Sequence, residues 1–221
     1  MIRAVLFDFD GLLADSEPLQ KAAWRAYLRR AGHELSDELI ERMFGLRLQE
    51  SAALVRDALG LAAPIEQIMA ERDAIFLASL AGRLQAMPGA RAAVQATRRL
   101  GLRSALATSG HRRYIALALQ ELDLTDAFDA IVTGDMVPRG KPAPDIFLRA
   151  AAALEVAPGD CVVVEDAPHG VAAARAAGMQ VVAIPNALTR RLDFRQADLV
   201  LPSLAAFHAW LARQLSGGAH A

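Results

Sequence analysis

Cysteine is almost absent. The chain carries one, Cys161, among 221 residues, so no intrachain disulfide can form, as suits a reducing cytoplasm. Cys161 itself reads as a buried strand residue. Charge of one sign is not in excess either. The formal net charge is -1, so no global field recruits nucleic acid or an acidic membrane surface. The pairs Arg29-Arg30, Arg98-Arg99 and Arg190-Arg191 are short and read as solvated faces. No basic stretch followed by a long apolar one opens the sequence, because Asp8 interrupts the only candidate, so no signal peptide is expected. No apolar run reaches the ~18–20 residues of a membrane span. No repeat, low-complexity segment or zinc-like histidine spacing is present. What remains is 54% hydrophobic and 22% charged, the profile of a globular chain with a sizeable core. Its length suits one large domain or one domain carrying an insert. The ending SGGAHA reads as a frayed tail. A cytoplasmic monomer without nucleic-acid or membrane partners is expected, since no apolar helix face demands one.

Continuous apolar runs mark strands at 2–7, 103–108, 130–134, 161–165 and 180–184, with a weaker one at 198–202. Runs of that kind suit a parallel sheet covered on both faces. Helical patterns lie between them at 89–101, 114–124, 144–156 and 170–179. Gly101 and Gly178 stand as C-terminal caps. The alternation predicts a doubly wound, mostly parallel α/β sheet.

Residues 16–82 break the alternation and read as helices only, at 17–32, 36–45, 48–60 and 64–82, with Ser36 as an N-cap. An all-helical domain is thus expected over 16–82, inserted into an α/β core of residues 1–15 and 83–221. The hinges fall near 14–17 and 82–88, the second marked by Met87-Pro88-Gly89.

In an open parallel sheet, ligands bind beyond the carboxyl ends of the strands. Asp8 and Asp10 follow the first strand, in VLFDFDGLLADSE, two residues apart and on one side of an extended chain. Thr108, Ser109 and Gly110 follow the second, Lys141 the third, and Glu165 and Asp166 the fourth. Four carboxylates gathered on one rim repel one another and push their pKa values up. A hard cation relieves this, and oxygen ligands suit Mg²⁺. The cation then lets an anionic phosphate approach a carboxylate nucleophile.

Four segments resemble the motifs of the haloacid dehalogenase superfamily, in its phosphatase and β-phosphoglucomutase-like branch. They are DFDGLLADSE, LATSG, GKPAPDIF and VVEDAPHG, in the family's order and over nearly the whole chain. The resemblance implies a Rossmann-like core with the helical insert as its cap. It implies that Asp8 is the nucleophile forming an aspartyl-phosphate and that Asp10 is the general acid and base. The Asp10 backbone carbonyl would hold Mg²⁺ together with Asp8 and Asp166, while Glu165 binds it directly or through water. Thr108 matches the hydroxyl that grips the phosphate, beside Ser109 and Gly110, and Lys141 the cation that neutralises the phosphoryl oxygens. Gly170 matches a glycine that lets the next helix approach the site. Resemblance and helix phase add Glu17, Gln20, Trp24 and Arg47 as candidate substrate contacts from the cap, with Arg47 matching an arginine for a distal phosphate.

Each residue has a blander reading. Thr108 could be a strand-end hydroxyl satisfying backbone, Asp166 a helix N-cap, and Lys141 a surface lysine before a proline turn. His111 reads as a solvated loop histidine, and Trp24 and Tyr27 as packing within the cap. The expected activity is Mg²⁺-dependent hydrolysis of a small phosphorylated metabolite such as a sugar phosphate. A phosphosugar mutase is the alternative, weakened because Gln20 and His111 stand where that branch has a histidine and a lysine. Dehalogenation is disfavoured by Asp10 and the acidic fourth motif. A phosphate-binding module that has lost catalysis would need every motif to be a relic.

Overall fold

In strand β1 (Ala4–Phe7) successive side chains point to opposite faces, and both faces are covered. Val5 and Phe7 enter one apolar layer, Ala4 and Leu6 the other. The same division runs along β4 (Arg103–Thr108), β5 (Ala130–Thr133), β6 (Cys161–Glu165) and β7 (Gln180–Ala183). That is why these strands read as unbroken apolar runs. A two-residue β8 (Leu199–Val200) completes a six-stranded sheet in the order β5-β4-β1-β6-β7-β8, with every neighbouring pair parallel. The computed structural model describes residues 1–43 and 45–217. Of the tail expected to fray, 216–221, Ser216 and Gly217 continue the last helix, which runs Leu204–Gly217, and 218–221 lie outside the described residues.

Helices α5 (Ala90–Arg99), α6 (Arg112–Glu121) and α9 (Leu204–Gly217) cover the Phe7 face. Helices α7 (Asp145–Ala153) and α8 (Pro168–Ala176) cover the Leu6 face. The architecture is thus a parallel α/β sheet wound on both sides. Strand direction brings the tips of β1, β4, β5 and β6 to one edge, around the point where the chain turns from building outward through β4 and β5 to building through β6 and β7.

Between β1 and α5 the chain makes four helices: α1 (Glu17–Arg30), α2 (Asp37–Met43), α3 (Leu48–Leu59) and α4 (Ile65–Ala78). The Ser36 hydroxyl accepts the Leu39 N–H at 3.2 Å and caps α2 as expected. Trp24, Leu28, Leu39, Val55 and Ile68 form a separate small core for this inserted region. Leu19, Ala23 and Phe76, at the ends of α1 and α4 nearer the sheet, belong instead to the main core. Where the hinges were expected, β2 (Ala14–Asp15) and β3 (Gln85–Ala86) pair antiparallel, and the Met87 N–H donates to the Leu13 carbonyl at 2.8 Å. Both crossings between insert and core therefore lie side by side.

Candidate active site

Chain direction delivers the chemistry to one place. β1 ends at Phe7 and presents Asp8, β6 ends at Glu165, and the loop after β5 carries Lys141 inward. The Lys141 ammonium donates to Asp8 Oδ1 at 2.6 Å, to Glu165 Oε1 at 2.5 Å and to the Ala107 carbonyl at 3.2 Å. All three side chains are buried, so Lys141 is no surface lysine. Burial alone would lower its pKa; the charges of Asp8 and Glu165 overcome that and hold it above the ordinary lysine value. Burial raises Asp8 to about 8, against the pull of Lys141 and with added repulsion from Glu165 and Asp10. The second Glu165 oxygen accepts the N–H groups of Asp166 and Ala167, each at 3.0 Å. Glu165 thus spends its lone pairs on fixing Lys141 and the turn into α8.

Asp166 faces the same point from the next residue. Oxygen atoms of Asp8, Glu165 and Asp166 lie within 4.8 Å of one another, all in buried side chains. Such a set fits a hard cation, which would remove the repulsion that, after burial itself, keeps Asp166 well above the usual carboxylate range. Two glycines make the crowding possible. A Cβ on Gly11, whose φ is +78°, would collide with the Asp166 carboxylate, and one on Gly170 would fall on the Glu165 carboxylate. Asn186 adds a hold that the motifs did not indicate: its Nδ2 donates to Asp166 Oδ2 at 2.8 Å and to the Gly11 carbonyl at 3.2 Å.

The Asp10 carboxylate is not one of the three that converge. Its Oδ1 accepts from the Ser16 hydroxyl and the Tyr114 hydroxyl, both at 2.5 Å. Burial raises its pKa, and these two hydrogen bonds oppose the rise. Tyr114 was not singled out in the sequence, because its place in the first turn of α6 looks like ordinary core. Its ring does pack in the core, 4.8 Å from Phe76, while its hydroxyl reaches the site.

The second motif is tied into the protein by several contacts. Thr108 is fully buried, and its hydroxyl oxygen accepts the Gly110 N–H at 3.0 Å, the backbone-satisfying arrangement of a strand-end threonine. Ser109 donates to the Gly45 carbonyl at 3.0 Å and so ties the core to the insert. His111 is not a solvated loop residue. It is the N-cap of α6, where its Nδ1 accepts the Tyr114 N–H, and its Nε2 lies 3.0 Å from Asp73 of α4. Arg47 makes a third tie. It pairs with Glu50 at 2.7 Å and donates to the Val137 carbonyl at 3.3 Å, so it joins α3 to the loop after β5.

Between insert and sheet lies a cavity of about 780 Å³, with Asp8, Asp10 and Lys141 on its floor and Glu17, Gln20 and Arg72 on its helical side. Burial, then the Asp10 charge, lifts Glu17 to about 7. The Gln20 side-chain carbonyl accepts from Arg72. Trp24 and Tyr27 pack edge to face within the insert, as expected, and Trp24 also borders the cavity.

A family model described as haloacid dehalogenase-like hydrolase matches residues 2–178. The chain belongs to this family. The phosphorylated carbohydrates phosphatase of Thermotoga maritima is 34% identical over 183 residues, spanning 81% of this chain and 83% of the relative. Hexitol phosphatase B of Escherichia coli K12 is 34% identical over 212 residues, spanning 94% and 95%. The crystal structure of CbbY from Rhodobacter sphaeroides in complex with phosphate matches with a TM-score of 0.84 at 31% identity, over 93% of this chain and 96% of that one. The protein is a haloacid dehalogenase-like hydrolase with an aspartate-based site. Among the described residues no helix is long and apolar enough to cross a membrane.

Proposed function

We propose that the protein is a Mg²⁺-dependent phosphatase for sugar phosphates or similar metabolites, with Asp8 as nucleophile and Asp10 as general acid and base. In this reading residues 16–82 are the cap and residues 1–15 and 83–221 the core. The observation that carries it is the meeting of Asp8, Glu165 and Asp166 within 4.8 Å, with Lys141 bonded to two of them. The names of the relatives, a phosphorylated carbohydrates phosphatase and a hexitol phosphatase, support the substrate class.

Asp8, Asp166 and the Asp10 backbone carbonyl would hold Mg²⁺, with Glu165 outside them as the anchor of Lys141. Bound there, the ion neutralises phosphoryl oxygens so that an anionic ester can sit beside a carboxylate. Lys141 fixes the Asp8 oxygen and supplies positive charge where the phosphoryl group arrives. An Asp8 oxygen attacks phosphorus, the ester P–O bond breaks, and the proton of Asp10 passes to the leaving oxygen. Burial favours the protonated form of Asp10 that this step needs. In the second half Asp10 takes a proton from water. That oxygen attacks phosphorus, the bond to Asp8 breaks, and inorganic phosphate leaves. Tyr114 and Ser16 hold Asp10 in place through both halves. Thr108 orders the Gly110 turn at the phosphate end. Glu17 and Gln20 face the alcohol portion, and the cap excludes bulk water.

Hydrolysis is preferred over phosphosugar mutation because Gln20 and His111 are both engaged within the protein, by Arg72 and Asp73. A monomeric, cytoplasmic enzyme is in keeping with the single cysteine and the near-neutral charge. The test is turnover of p-nitrophenyl phosphate and a sugar-phosphate panel with and without Mg²⁺. Metal-dependent phosphate release that Asp8→Asn abolishes is expected. Full turnover by Asp8→Asn would remove Asp8 from the covalent role, and glucose 1-phosphate isomerisation by the wild type would favour a mutase.

A further inference from the structure

Arg72 of α4 is 3% exposed and forms no ion pair with any carboxylate among the described residues. Its guanidinium lies over two aromatic rings, 5.2 Å from the Trp24 centroid and 4.7 Å from that of Phe76. Cation–π contact of this kind uses the charge and leaves the in-plane N–H groups to find other partners. On the edge formed by Nε and Nη2, only Nη2 is used, donating to the backbone carbonyl and side chain of Gln20. Nε is buried with no partner at all, the one such side-chain atom among the described residues. A buried donor left unpaired carries a desolvation cost that native structures rarely leave uncompensated. Arg72 also lines the catalytic cavity. The charged or titratable groups that feel it are Asp73, Tyr114, Asp10 and Glu17. Asp73 is taken by His111, and Tyr114 binds Asp10.

We propose that Arg72 is the docking point for a second oxyanion, a carboxylate or a second phosphate, on the alcohol portion of the substrate. The inference rests on the phosphatase reading and narrows its substrate class to sugar bisphosphates, phosphorylated sugar acids and their kin. Position supports it. Asp10 is the group that meets the leaving oxygen, and a continuous run of contacts leads from Asp10 through Tyr114 and Phe76 to Arg72. An anion there lies on the helical side of the cavity, whose floor carries Lys141 and Asp10. Two oxygens of a carboxylate or phosphate match the Nε–Nη2 edge in the bidentate manner open to arginine and closed to lysine. The Gln20 amide now occupies half of that edge, so it must swing aside as substrate enters.

The test compares two matched pairs with the Mg²⁺-loaded enzyme: phosphoglycolate against 2-hydroxyethyl phosphate, and propanediol 1,3-bisphosphate against its monophosphate. Wild-type kcat/KM should favour the member with the second anion by about 10- to 100-fold, the range for a charge-assisted hydrogen-bond pair. The preferred pair identifies whether carboxylate or phosphate is the better fit. Arg72→Gln should erase the preference, and Arg72→Lys should keep only part of it. Calorimetric binding of the same four compounds to the Asp8→Asn protein, which retains Arg72, reads the preference even should Arg72 variants fail to fold. Equal kcat/KM and equal binding within both pairs would overturn the proposal, as would Arg72→Gln lowering all four alike. If no ester is turned over, the phosphatase reading itself falls. If esters are turned over without preference, only the role of Arg72 falls.

Discussion

Replacing Lys141 by methionine probes the electrostatic centre most directly. Its Nζ lies 2.6 Å from Asp8 and 2.5 Å from Glu165, and all three side chains are buried. Methionine keeps an apolar stem beside Phe147 and removes the charge. Two carboxylates then share a dry site with no cation between them. Removing one partner of a buried ion pair costs about 3–5 kcal/mol, because the abandoned charge stays buried. In a chain of this size each kcal/mol moves the melting temperature by about 2–4 °C. The variant should therefore melt about 6–20 °C below the wild type at pH 8 without divalent cation. At pH 5 the gap should narrow, since Asp8, already lifted to about 8 by burial, takes up a proton readily. Adding Glu165→Gln removes one stranded charge, so the double variant should be more stable than Lys141→Met alone. Hydrolysis of p-nitrophenyl phosphate should fall by about 10²–10³-fold, the loss typical of one preorganised charge-stabilising group. Calorimetry and initial rates measure both effects. A single variant melting within about 2 °C of the wild type at pH 8, or a double variant less stable than the single one, would refute charge pairing as what holds the site together.

Two further outcomes follow from the same charges. Asp8 has its pKa raised from 3.8 to about 8, and Glu17 from 4.5 to about 7. A carboxyl whose folded pKa lies above its unfolded one contributes stability that is complete below the unfolded pKa and lost as pH rises through the folded one. Metal-free protein should therefore lose stability between about pH 4 and pH 8, and added Mg²⁺ should raise the melting temperature more at pH 8 than at pH 5. A Mg²⁺ increment independent of pH would show that protons and cation do not compete for these carboxylates. Tyr114→Phe removes a hydrogen bond that favours ionised Asp10, so the limb of the pH–rate profile that tracks Asp10 should move to higher pH while kcat falls by about 10-fold. An unmoved profile would assign Tyr114 to packing alone.

The fold was legible because its signals are local. The segments of β1, β5, β6 and β7 carry apolar runs that feed both covering layers, and Ser36, Gly101 and Gly178 punctuate helices in the usual way. Asp8, Lys141, Glu165 and Asp166 were legible because a parallel sheet sends the ends of separated strands to one edge, whatever the intervening sequence. What escaped depends on partners distant in sequence. Asn186 and Tyr114 meet Asp166 and Asp10 across 20 and 104 positions, with no spacing to betray them. Thr108 and Arg47 were legible as residues but not as contacts. Each makes contacts within the protein, with neighbours such as Gly110, Glu50 and Val137, that no spacing in the sequence announces. The β2–β3 ribbon escaped for another reason. Two-residue strands leave no periodicity to read, so the hinge showed in the sequence only as Pro-Gly punctuation.

The two buried cations divide the labour of the site along the fold. Lys141 belongs to the sheet and stands at the phosphate end, pinned by residues from two different strand tips. Arg72 belongs to the inserted helices and stands on the helical side of the cavity, pinned by aromatic packing and one glutamine. The first arrangement is over-determined, since moving Lys141 disturbs Asp8, Glu165 and the Ala107 carbonyl together. The second is under-determined, with one donor unpaired and one partner that can swing away. Chemistry common to all phosphate esters needs the first kind of rigidity, because charge must be in place before it develops on the phosphoryl group. Choice among alcohols needs the second, because it is read on the part of the substrate that differs. On this view substitutions at Gln20 and Arg72 should change which ester is used while leaving the identity of the nucleophile untouched, and substitutions at Lys141 should slow every ester alike.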